Sequence, residues 1–230
     1  MIKNIVLVHG AFADGSSWRR VIRILQAQDY HVTAVQQPLT SLEEDVAITR
    51  HILKLQQGPC ILVGHSYGGA IITEAGNELN VAGLVYIAAF APDEGENLAD
   101  LKAKASPAPG SSHVKVDDHG YAWIERSAFR SVFAEDVDPQ EAAVMAATQM
   151  PWKIPTSRIC DPAWRKLPSW YQVSDRDQMI NPQLQRFMAL RMGATTITLD
   201  ASHASAVSCP SAVADFIMRA SNDAFQAAAA

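Results

Sequence analysis

Six short apolar runs most constrain what this chain can fold into. They read NIVLVHG, YHVTAVQQP, CILVGHS, VAGLVYIAAF, SWYQVSD and ATTITLD. Most are continuous rather than alternating, and they favour Val, Ile and Thr. A strand buried on both faces reads this way, because both sides of its pleat must be apolar. Helix-like stretches separate the runs. WRRVIRILQAQ gathers Trp18, Val21, Ile22 and Leu25 on one face. SLEEDVAITRHILKLQQ sets Val46, Ile48, Ile52 and Leu55 near one stripe, with Ser41 as N-cap and acids in its first turn. NPQLQRFMALRM and SAVADFIMRA are two more. This rhythm predicts an α/β fold with a six-stranded, mostly parallel, doubly wound sheet.

The rhythm breaks once, from about Ala91 to Leu167. ASPAPGSS reads as a loop, VKVDDHGYAWIER as a hairpin turning at Asp118-His119-Gly120, and DPQEAAVMAATQM as a helix capped by Asp138. Residues 91–167 are therefore expected to form a small, mainly helical cap inserted after the fourth strand. Residues 1–90 and 168–230 would form the core. Ligands in such folds bind outside the carboxyl ends of the strands, where this cap would lie.

Composition narrows the function. The net charge is −5 without a basic run, which gives no reason to expect nucleic acid or an anionic membrane as partner. No stretch approaches the ~20 apolar residues that span a bilayer. Three widely spaced cysteines, Cys60, Cys160 and Cys209, argue against a disulfide framework or a zinc site and fit a cytoplasmic, reducing setting. The terminal AFQAAAA is low-complexity and is expected to be a frayed helix end or an expression scar.

The third apolar run leads into Gly64-His65-Ser66-Tyr67-Gly68-Gly69. G-x-S-x-G between a buried strand and a helix describes a tight turn that lifts a serine to the top of the sheet. Residues two before and two after the serine crowd one another, hence Gly64 and Gly68. The Tyr67 N–H opens the helix and would hold an oxyanion. The first run ends in His9-Gly10-Ala11, so the Ala11 N–H would be the second donor.

A serine nucleophile needs a base and an orienting acid, in the order Ser, acid, His for this architecture. Of seven histidines, His203 follows the last strand on the edge where Ser66 emerges. His9 and His65 lie against strand ends, where backbone duties are expected. For the acid, Asp177 is preferred and Asp175 is the runner-up, both after the fifth strand. Asp200 is better placed to cap a turn, and Asp93 is weaker. Phe12, Trp123, Phe129, Met150 and Trp152 are candidates to line an apolar pocket, against the competing reading that cap aromatics form the cap's own core.

LVHGAFADGSSW, LVGHSYGG, WYQVSDRDQMINPQLQRFMALRMGA and LDASHASAVSCP together resemble the α/β-hydrolase fold superfamily. The resemblance is greatest to the branch of plant methyl esterases and hydroxynitrile lyases, with bacterial esterase relatives, and it spans nearly the whole chain. It implies Ser66, Asp177 and His203 as triad and Ala11 and Tyr67 as oxyanion donors. Asp177 matches the last residue of that branch's Thr-Glu-Asp segment. It also implies that no metal or organic cofactor is needed. Two departures separate the branch's chemistries. The lyases carry threonine where this chain has Gly10, and lysine where it has Ala204. Ester hydrolysis of small or aromatic esters through an acyl-enzyme is therefore expected. Lactone hydrolysis, cyanohydrin cleavage and ligand reception with little turnover are the rivals, and a homodimer is an arrangement left open.

Overall fold

A computed structural model describes residues 1–229 of the chain; Ala230, at the end of the terminal alanine run, lies outside the described residues. In chain order the elements are β1 (Asn4–Val8), α1 (Arg19–Gln26), β2 (His31–Val35), α2 (Leu42–Lys54), β3 (Cys60–His65), α3 (Gly68–Ala75) and β4 (Val81–Ile87). Then follow α4 (Leu98–Lys102), β5 (Val114–Val116), β6 (Tyr121–Ile124), α5 (Arg126–Phe133), α6 (Pro139–Thr148) and β7 (Trp152–Lys153). The chain closes with β8 (Ser169–Ser174), α7 (Pro182–Arg191), β9 (Thr195–Leu199), α8 (Ser205–Ser208) and α9 (Pro210–Ala229).

All six apolar runs are strands of one sheet, in the order β2-β1-β3-β4-β8-β9. Every pairing in it is parallel. The reason for the continuous apolar pattern is visible in the core. Val6, Val8, Leu62, Leu84 and Tyr86 pack on one face with residues of α2 and α3. Ile5, Leu7, Ile61, Val63, Val85 and Ile87 pack on the other with α1 and α9. Alternate residues of one strand thus feed two cores.

Helix signals held with one correction. Ser41 Oγ accepts from the Glu44 N–H at 3.1 Å, and Asp138 Oδ1 accepts from Gln140 and Glu141. The inward stripe of α2 ends on Leu53, which is fully buried, whereas Leu55 is 63% exposed. Leu55 lies just past the last turn, where the helical period no longer aims it at the core.

The segment between β4 and β8 holds three helices and a three-stranded antiparallel sheet, β5-β6-β7. The hairpin turns at Gly120, whose φ of 79° suits a residue without Cβ. Strand β7 has only two residues, too short to show a period. The segment is stitched to the loops beyond the strand ends. Lys153 N–H donates to Leu39 beyond β2, Gly110 to Gln178 beyond β8, and the Ala204 N–H beyond β9 to Phe133. It therefore lies across the carboxyl edge of the sheet.

Candidate active site

The sheet order places β1 between β2 and β3, so successive connections leave β1 and β3 in opposite directions. Ligand sites of open parallel sheets form at such a reversal. Both loops there carry strained backbone. Ser66 has φ 55° and Phe12 has φ 61°, a left-handed conformation costing roughly 1–2 kcal/mol for a residue with Cβ. The elbow is held by Ser66 N–H on Ile87 O and by Gly69 and Phe90 N–H on Ser66 O.

The glycines around it are steric necessities. A Cβ on Gly64 would lie 2.6 Å from Gly68 O, and one on Gly10 would lie 2.6 Å from the Ser66 Cβ. Both loops can approach only because these Cβ atoms are missing. Tyr67 caps α3, so its N–H has no intrahelical acceptor.

Ser66, His203, Ala11 and Tyr67 line one cavity of about 220 Å³. His203 sits at its wall, 1% exposed, and its Nδ1 is 2.7 Å from Asp177 Oδ2. Asp177 is 3% exposed and richly bonded. Its Oδ1 accepts from the Met179 and Ile180 N–H groups, and its Oδ2 also accepts from Gln185 Nε2. These donors aim the carboxylate at the ring, a geometry that suits the tautomer with its proton on Nδ1 and leaves Nε2 as the ring's acceptor. The other aspartates are spent elsewhere. Asp175 pairs with Arg186 on the surface, Asp200 with Arg176, and Asp93 with Arg165.

His65 and His9 are structural, as their positions against strand ends suggested. His65 Nε2 meets the His203 carbonyl at 2.9 Å. Burial pushes its pKa down to about 3, with the neighbouring His203 adding to the effect. His9 accepts the Gln37 N–H on Nε2 and donates from Nδ1 to Gly10 O, so it braces the loop carrying Ala11. Burial lowers its pKa too.

Of the pocket candidates, Phe12 and Trp152 line the cavity. Their rings meet edge to face at 5.8 Å, and Trp152 also packs on Tyr67 at 5.1 Å. Trp123, Phe129 and Met150 are not among the lining residues. Trp123 lies on β6 between buried Ala122 and Ile124, so the strand alternation turns it to the opposite face. Phe129 is fully buried on α5 and stacks on Phe133 at 4.9 Å. Met150 packs from the side against the core. Phe90, Val114, Val116, Ile154, Met179 and Ile180 complete the apolar wall. None of these six was expected from the sequence; Val114 and Val116, two apart and so on one face of β5, carry the period-two signal that would find that wall.

Three polar residues carried no signal. Asp45 in α2 is fully buried and takes the Tyr67 hydroxyl at 2.8 Å and the Leu39 N–H at 2.9 Å. Burial, opposed by those two bonds, raises its pKa to about 6. Gln185 ties Asp177 to the Ser174 N–H at the end of β8. Asp136 holds the Ser202 N–H at 2.9 Å and so anchors the His203 loop. Asp45 and Asp136 meet Tyr67 and Ser202 across 22 and 66 residues, while Gln185 reaches Asp177 only through the turn between β8 and α7.

Among the described residues no group of three or more His, Cys, Asp or Glu side chains could hold a metal ion, and no helix is long and apolar enough to cross a membrane. All three cysteines are free.

Both the sequence and the fold have counterparts among known proteins. The chain is 35% identical over 118 residues to a carbendazim hydrolyzing esterase of Nocardioides sp. (strain SG-4G), a match spanning 45% of this chain and 49% of that protein. It is 26% identical to a pyrethroid hydrolase of Sphingobium wenxiniae, over 94% of this chain and 86% of that one. The crystal structure of a pyrethroid hydrolase from Sphingobium faniae JZ-2 shares the fold with a TM-score of 0.82 at 22% identity, covering 96% of this chain and 98% of the other. The profile of the Alpha/beta hydrolase family matches residues 5–216, nearly the whole of the fold described above, and the chain belongs to that family.

Proposed function

We propose that this chain is a serine-dependent carboxylic ester hydrolase acting on small or aromatic esters through an acyl-enzyme. The observation that carries the reading is His203, held by the buried Asp177, lining the same cavity as the serine of a strained elbow. His203 Nε2 takes the Ser66 proton as Oγ attacks the ester carbonyl. Asp177 orients the ring and stabilises the imidazolium. The Ala11 and Tyr67 amides receive the oxyanion, each worth ~10²–10³ in turnover. His203 then protonates the departing alcohol, and water, deprotonated by the same nitrogen, releases the acid. The segment 91–167 serves as the cap that shapes the acyl and alcohol pockets.

The relatives support the choice of bond, since one is named an esterase and another a pyrethroid hydrolase. Two local features weigh against cyanohydrin cleavage. A threonine at Gly10 would collide with Ser66, and Ala204 is 3% exposed, without a cationic side chain beside His203.

The test is a p-nitrophenyl ester series, acetate to octanoate, on wild type and Ser66→Ala. We expect kcat/KM to fall by at least about 10³-fold in the variant on every ester the wild type turns over. Equal rates for the two proteins across the series would sink the serine esterase reading.

A further inference from the structure

A second cavity of about 280 Å³ adjoins the first, lined by residues at the end of α4 and the start of α7. Phe90, Lys102, Ser111, Met179 and Ile180 line both, so the two are chambers of one site. Lys102 is the charged side chain in this shared wall, and neither chamber has a carboxylate in its lining.

The ammonium has no counter-charge of its own. Its neighbours in sequence are spoken for: Lys104 pairs with Glu96, and Asp100 with Arg158. Among the described residues Lys102 enters no ion pair; instead its Nζ stands 5.6 Å from the Phe90 ring and 5.9 Å from the Trp152 ring. The side chain remains solvent-accessible, yet the surrounding protein displaces enough water to lower its pKa. A cation beside two aromatic rings and without a carboxylate partner is free to pair with an anion supplied by a ligand. Trp152 links this wall to the loops beyond β1 and β3, since its ring also meets those of Phe12 and Tyr67. Lys102 thus lines the same cavity as Ser66, Ala11 and Tyr67.

We propose that the substrate bears a carboxylate in addition to its scissile ester, and that Lys102 receives this carboxylate where the two chambers meet. The proposal rests on the ester hydrolase reading and adds the substrate class, a half-ester of a dicarboxylic acid. The apolar walls take the carbon chain between the two groups, and Lys102 selects against the neutral analogue.

The experiment compares monomethyl esters of glutarate, adipate and suberate with the corresponding methyl ester amides, in which a neutral carboxamide replaces the free carboxylate. Methanol release is followed for wild type, Lys102→Met and Lys102→Glu, with circular dichroism to check folding. We expect wild type to favour the half-ester by about tenfold in kcat/KM at one chain length, mainly through KM. The ratio should approach one in Lys102→Met and fall below one in Lys102→Glu. A ratio near one in wild type at every length, or one that both variants leave intact, overturns the proposal. So does a third result, in which butyrate inhibits wild type but not Lys102→Met while the ratio stays unchanged, for Lys102 would then serve only the product acid. If wild type cleaves neither series, the p-nitrophenyl esters decide the ester hydrolase reading on their own. Calorimetric titration of adipate into wild type and Lys102→Met then decides the anion site: loss of binding in the variant supports it, and equal or absent binding refutes it.

Discussion

Gly10 has no room for a side chain, because a Cβ there would press on Ser66 from 2.6 Å. The elbow and the oxyanion loop are so close that the geometry of one sets that of the other. Gly10→Thr should therefore displace Ser66 against His203. Misplacement of reacting groups by an ångström costs about 10²-fold, and we expect a loss of that order in kcat on p-nitrophenyl acetate. A variant with near-native kcat and a native circular dichroism spectrum would show that the loops are not in steric contact. The same scale explains why Asp177 and not Asp175 meets His203. Asp175 points into solvent beside Arg186, while Asp177 turns back under two backbone amides and Gln185.

At the level of elements, helix α2 illustrates how burial overrules sequence spacing. Leu53 and Leu55 are two residues apart, and the first is fully buried while the second is 63% exposed. Leu53→Ala should cost about 2–5 kcal/mol, the range for a buried leucine that leaves a cavity. Leu55→Ala should stay within about 0.5 kcal/mol. Urea unfolding of both variants separates the two, and similar midpoints would contradict the assigned face. Helix α2 also delivers Asp45 to Tyr67, so its inward face braces the residue whose amide is the proposed oxyanion donor.

Across the whole molecule, buried ionisable groups set the acid response. His65 stays neutral in the fold, with a pKa near 3, against 6.5 for a free imidazole. Below pH 6.5 the unfolded chain takes up a proton that the fold refuses, so stability falls as pH drops from 6.5 toward 3, by up to about 5 kcal/mol. His9 acts in the same direction. Asp45 acts oppositely: its raised pKa, about 6 against 3.8, means that the fold holds a proton the unfolded chain releases. Its contribution is largest below pH ~4 and is lost as pH rises through about 6, a swing of about 3 kcal/mol. The two histidines outweigh the one carboxyl, so the urea midpoint should fall between pH 7 and pH 4. His65→Gln should flatten that slope, and Asp45→Asn should steepen it. Parallel profiles for all three proteins would mean that these groups do not govern acid stability.

How far the sequence carries can be read from particular residues. Continuous apolar runs imply strands buried on both faces, and all six of them are strands of one parallel sheet. Ser41 and Asp138 announce their helices by local hydrogen bonding. Gly64, Ser66 and Gly68 announce the elbow because their constraint is steric and lies within five residues. These features depend on neighbours along the chain, and so the sequence by itself determines them. The orientation of Trp123, Phe129 and Met150, the bracing of Tyr67 by Asp45, the meeting of Asp177 with His203, and the place of Lys102 beside Phe90 and Trp152 depend on residues brought together from distant segments. Only tertiary structure decides them, because the direction of a side chain and the charge it meets are properties of packing in space.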